Sequence, residues 1–141
     1  MPANESSNLT TETQVLREVY AAINRNDIPA ALQYFDPQIE RIEPEGFPAA
    51  SGIHGLAEVQ VHFSQGRETW AEGSCNPERF IFAGNRIIVL LRVRVKLKKT
   101  MEWVEGRLAD VFSFRNGKIL QMRTFAEKQQ ALDWAGVQDS D

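Results

Sequence analysis

Asp110 is the residue whose surroundings most demand a chemical explanation. It sits in an apolar run between Leu108-Ala109 and Val111-Phe112, where a carboxylate is costly to bury unless it is paired or protonated. Two readings follow: a protonated acid facing a pocket, or an ion pair with Arg92, Arg94, Arg107 or Arg123 on a neighbouring strand. Glu43 precedes Pro44 at the end of a short expected strand. A carboxylate there could move a proton between carbons if desolvation raised its pKa. The plainer alternative is a solvated strand end beside Glu40, Arg41 and Glu45.

Other polar patterns carry less. His54, Glu58 and His62 recur every four residues, which places them in a row on one helix face. That row lies opposite Leu56, Val59 and Phe63, so a solvated surface is expected. Three such side chains in line span too far for one ion, and no metal or cofactor is expected. Arg92, Arg94, Lys96 and Lys98 alternate with Val93, Val95 and Leu97. Cross-strand pairing with Glu102 and Glu105 explains this row, although Arg92 or Arg94 could meet a carboxylate-bearing ligand. Cys75 has no partner for an internal disulfide, and no Ser or Cys nucleophile motif or phosphate loop is present.

The elements that would position these groups can be read in order. Thr11 to Gln14 resembles a capping box opening a first helix, continued by Val15, Leu16, Val19, Ala22 and Ile23. Asp27 should cap a second helix, with Pro29 in its first turn, running to Phe35 before Asp36-Pro37 stops it. A strand is expected over residues 39–43, a loop to Gly52, and a third helix over 56–70 carrying Trp70. Residues 72–76 read as a turn and 78–82 as a strand. Long strands follow over 86–98, 102–114 and 118–125, the last two joined by Asn116-Gly117, a type I′ hairpin signal. A terminal helix over 127–135 ends at Gly136. Ile87 to Leu91 is apolar at every position, so this part of the sheet should be covered on both faces. A dimer partner is the simplest second cover.

Helices first and antiparallel strands later indicate an α+β fold. The chain of 141 residues, 43% hydrophobic and 25% charged, suits one domain over residues 11–136, with a disordered segment at 1–10 and a tail at 137–141. Its net charge of -3 argues against nucleic acid as a partner. Without a signal-peptide pattern or a membrane-length apolar run, a cytoplasmic protein away from membranes is expected.

Three stretches carry a family resemblance: residues 21–27, Ala-Ala-Ile-Asn-Arg-Asn-Asp; Glu43-Pro44 with residues 51–55, Ser-Gly-Ile-His-Gly; and residues 110–119, Asp-Val-Phe-Ser-Phe-Arg-Asn-Gly-Lys-Ile. In order and spacing they resemble the nuclear transport factor 2-like superfamily, in its SnoaL-like and ketosteroid isomerase-like branch. The resemblance implies a cone-shaped curved antiparallel sheet wrapped around the N-terminal helices, a pocket at the wide end and a homodimer through the sheet. It does not imply a reaction, because one fold hosts many functions. It places Glu43 where the isomerases carry their general base and Asp110 where they carry an acid that donates to the substrate oxygen, kept neutral by apolar surroundings. The isomerase tyrosine of the first helix falls at Val19. Tyr20 is turned about 100° from it and is expected at the helix edge, which makes steroid isomerisation a poor fit.

The candidate site is therefore Asp110 and Glu43 as acid and base. Its walls draw on Tyr20, Val19, Phe35, Val59, Phe63, Trp70, Leu90, Arg92, Phe112, Met122 and Thr124, although core packing would explain most of these. The expected ligand is a small apolar molecule, cyclic or carbonyl-bearing and able to carry an anionic group. The expected role is isomerase, cyclase or hydratase-like chemistry, with a non-catalytic binding or interaction module as the alternative.

Overall fold

The computed structural model describes residues 2–138, with side chains from residue 11 onward. Helix α1 covers Pro2–Asn24, α2 Ile28–Leu32, α3 Leu56–Glu68 and α4 Lys128–Ala135. The strands are β1 Phe35–Ile42, β2 Ile53–His54, β3 Trp70–Ala83, β4 Arg86–Leu97, β5 Trp103–Arg115 and β6 Lys118–Phe125. They form one six-stranded sheet in the order β2-β1-β6-β5-β4-β3. All neighbours are antiparallel except β1 and β6. Register shifts in β3, β5 and β1 are the kind of irregularity that bends strands, and the sheet adopts the open, curved α+β cone.

The two-sided apolar run of β4 explains the layering. Ile87, Val89 and Leu91 pack inward with Leu16, Val19, Leu32, Ile39, Val59 and Phe112. Ile88 points the other way and packs with Ala109 and Val111 against Ala131 and Leu132 of α4. The second cover over this patch thus comes from the chain's own last helix. Each such fully buried aliphatic side chain contributes about 1.5–3 kcal/mol. Glu127 forms the capping box that starts α4, and Gly136 ends it at φ 72°.

Several boundaries differ from expectation. The backbone is helical from Pro2, so the Thr11–Gln14 box lies inside α1 rather than at its start. Asp27 does cap α2, accepting from the Ala30 N–H at 3.2 Å, but α2 is short and Phe35 already belongs to β1. Asp36 enters that strand because Arg115 of β5 holds its carboxylate at 2.9 Å. The turn expected over 72–76 is part of β3. Gly73 takes φ +113°, and a Cβ there would lie 2.2 Å from the Arg94 carbonyl oxygen. The glycine marks a close approach of the paired β4 backbone, not a reversal. Asn24 secures the same segment: its amide donates to the Cys75 carbonyl and accepts from the Cys75 N–H, both at 2.9 Å. The Asn116-Gly117 hairpin forms as expected, with φ 51° and 79°.

Candidate functional site

Strand alternation turns Asp110 inward. It lies opposite Val89 on β4 and Thr124 on β6, both on the face that looks toward α1. The carboxyl is only 2% exposed. Thr124 Oγ1 donates to Oδ1 at 2.5 Å, and Tyr20 Oη lies 2.5 Å from Oδ2. Burial pushes the Asp110 carboxyl above its ordinary 3.8. The Arg41 charge and the bonds from Thr124 and Tyr20 oppose this, while Glu43 adds to it. Burial, reinforced by Asp110, also holds the Tyr20 phenol well above 10.

The ion pairs considered for Asp110 do not form. Arg92 and Arg94 both reach Glu105 on the outer face, Arg107 pairs with Glu78, and Arg123 stacks on Trp134 at 4.9 Å. The position expected for Tyr20 is likewise corrected. It is 3% exposed and its ring meets Phe112 edge-on. The sheet curves around α1, so the buried arc of that helix is wide enough to take Val19 and Tyr20 together despite the 100° between them. Val19 packs in the core and Tyr20 supplies the hydroxyl.

Glu43 is not solvated either. Its side chain is 13% exposed. Oε1 accepts the Ala49 N–H at 2.9 Å. Oε2 meets His62 Nε2 at 3.1 Å and Arg41 Nη2 at 3.5 Å. The solvated His54–Glu58–His62 row is therefore split. His54 belongs to β2 and is 69% exposed beside Glu40, whereas His62 is 22% exposed and faces Glu43. One turn beyond the buried Val59, His62 lies on the inward side of α3. Among the described residues, no three His, Cys, Asp or Glu side chains converge to hold a metal ion.

Asp110 and Glu43 open onto one cavity of about 280 Å³. Its polar end is made by Tyr20, Asp110, Thr124, Arg41, Glu43 and His62, and its walls are largely apolar, from Ile28, Phe63, Trp70, Leu91, Val93, Leu108 and Met122. Pro44 and Phe47 of the loop after β1 reach its rim, and Phe47 is otherwise exposed. Cys75 also lines it; burial, with a contribution from Asp110, pushes this thiol up to about 12, so it remains protonated.

Of the expected lining residues, Tyr20, Phe63, Trp70, Met122 and Thr124 face the cavity. Phe35, Val59 and Phe112 pack behind it with Val19 in the core. Leu90 is on the other sheet face beside α4, and Arg92 is excluded because even positions of β4 point outward. Arg41, His62, Arg67 and Leu91 were not expected there. Alternation could have found two of them: Arg41 shares the parity of the buried Ile39, and Leu91 that of Ile87 and Val89.

Residues 16–122 match the SnoaL-like domain family. The chain belongs to this family. Solved structures show the same fold around this SnoaL-like domain. An NTF2-like protein of unknown function from Burkholderia pseudomallei is 27% identical, with 87% of this chain and 95% of that chain covered at a TM-score of 0.72. TerC co-crystallised with polyporic acid is 18% identical, with 89% and 98% covered at 0.73. A putative SnoaL-like polyketide cyclase from Jannaschia sp. CCS1 is 12% identical, with 89% and 91% covered at 0.72. A comparison with curated proteins returns no match. No helix among the described residues is long and apolar enough to cross a membrane.

Proposed function

We propose that this SnoaL-like protein binds a small, largely apolar carbonyl compound and moves a proton on it, as an isomerase, cyclase or hydratase does. The observation that carries this reading is a carboxyl buried at 2% exposure with Tyr20 and Thr124, and no arginine, bonded to it. Hydrogen counting gives its chemical meaning. If Asp110 were ionised, the hydroxyl hydrogens of Tyr20 and Thr124 would both be spent on it. If Asp110 is neutral, its own proton can go to Tyr20 Oη, and the phenol hydrogen is released toward a ligand oxygen. Burial favours the neutral form. Such a donor stabilises charge developing on a carbonyl oxygen in a water-poor site.

At the same polar end, Glu43 and His62 form the proton-transfer pair. With Nε2–H donated to Glu43, His62 keeps Nδ1 as a free lone pair, and the carboxylate stabilises the imidazolium that forms. A second reading, a binding protein without turnover, has its own support. The Ala49 N–H, Arg41 and His62 already surround the Glu43 carboxylate, which leaves it little capacity to act as a base itself.

Exchange of the α-hydrogens of β-tetralone in D2O separates the two, with binding followed by tryptophan fluorescence. The wild type should accelerate exchange, and Tyr20→Phe should lower the bound rate roughly 100-fold, the usual effect of losing one oxyanion donor. His62→Gln should lower it as well while preserving affinity. Binding without any exchange would instead establish the non-catalytic reading.

A further inference from the structure

The charges lining the cavity do not cancel. Arg41 is paired with Glu43, and Asp110, in the reading above, is neutral. Arg67 remains, at the rim formed by the end of α3, and none of the described carboxylates forms an ion pair with it. Its neighbour Glu68 is committed to Lys98 at 2.9 Å. The guanidinium is nevertheless held firmly. Nε donates to the Ile23 carbonyl at 2.8 Å, Nη2 donates to the Asn24 carbonyl at 3.0 Å, and the group lies 4.6 Å from the Trp70 ring centroid.

Those two carbonyls belong to the last turn of α1, where helix oxygens lack intrahelical partners and a cation is favoured. They take only the side edge of the guanidinium. The end edge, carried by Nη1 and the second Nη2 hydrogen, remains for a ligand in the cavity that Arg67 lines. Orienting the group before a ligand arrives removes part of the entropic cost of binding. Fork-shaped donors of this kind suit planar carboxylates. The carboxylate role considered for Arg92 and Arg94 thus has its physical counterpart on α3.

We propose that the cavity selects anionic ligands, apolar keto acids in particular, and that Arg67 is the residue that holds their carboxylate. The choice of a keto acid rests on the reading above, but the preference for charge can be measured independently of it. The probes are para-acetylbenzoate, its methyl ester and acetophenone, with binding followed by calorimetry. The wild type should bind the acid roughly 10- to 100-fold more tightly than the ester, the range expected for a charge-assisted hydrogen bond. Arg67→Gln should erase that preference without weakening the ester, and Arg67→Lys should keep part of it. Because Arg67 also ties α1 to α3, each variant is first checked for a cooperative melt. The acid–ester comparison in the wild type needs no variant. Equal binding of acid and ester, no binding of either at about 1 mM, or a preference that survives Arg67→Gln would overturn the proposal. If Tyr20→Phe leaves all three affinities and the tetralone exchange unchanged while the acid preference persists, the carbonyl reading fails and the Arg67 assignment stands.

Discussion

Replacing Asp110 by Asn tests the protonation state on which the site depends. Asn has nearly the shape of a neutral carboxylic acid, and its amide can donate to Tyr20 Oη while its oxygen accepts from Thr124. It therefore preserves the bonding of a protonated Asp110 and removes only the titration. Burial raises the Asp110 carboxyl above its ordinary 3.8, so the folded state holds its proton after the unfolded chain has released it. Stability then falls as pH rises, because the native state binds more protons than the unfolded state. The sign is opposite to that of a salt-bridged aspartate. For a single group the slope cannot exceed about 1.4 kcal/mol per pH unit. The loss begins near the ordinary value of 3.8 and ends once the folded carboxyl itself ionises. Urea unfolding of wild type and Asp110→Asn from about pH 3 to about pH 8 cancels the other titrations in the difference. The wild type should be at its best relative to the variant in acid and should lose ground steadily above that point. A difference that instead grows in favour of the wild type with pH would mean an ionised, charge-stabilised Asp110, and the hydrogen-counting argument would collapse.

Other consequences are simpler to measure. Leu132→Ala should cost about 2–5 kcal/mol in urea unfolding, as buried leucines do, without changing ligand affinity, because Leu132 packs on the sheet face away from the cavity. Gly73→Ala should cost at least about 1–3 kcal/mol from backbone strain alone, since its φ is +113° and its Cβ would meet the Arg94 carbonyl; thermal melts would reveal it. Cys75, with its thiol near 12, should resist iodoacetamide in the native protein at mildly alkaline pH and react once unfolded, because the thiolate is the nucleophile. Mass spectrometry gives the answer directly.

Local chemistry was enough to define much of this molecule. The two-sided apolar run from Ile87 to Leu91 announces a strand covered on both faces, and Asn116-Gly117 announces its hairpin, because both depend only on neighbours in sequence. Asp110 could be singled out by the same logic: a carboxyl inside an apolar strand has few affordable environments. The turn expected at residues 72–76 failed because glycine serves equally for a reversal and for a close approach of a neighbouring strand's backbone. Only the pairing of Gly73 with Val95, which brings the Arg94 carbonyl against it, distinguishes the two. The site itself was decided by packing. Tyr20 and Asp110 are 90 residues apart, and Glu43 and His62 are 19 apart. Whether they meet depends on how far α1 and α3 are rotated against a curved sheet. A single-residue change in strand parity places Leu91 in the cavity and Arg92 outside it. Sequence alone therefore determined the order of the main helices and long strands, the two-faced sheet and the anomalous acid. The tertiary structure decided which side chains complete the site, because a curved sheet widens the buried arc of a helix beyond what its own periodicity can indicate.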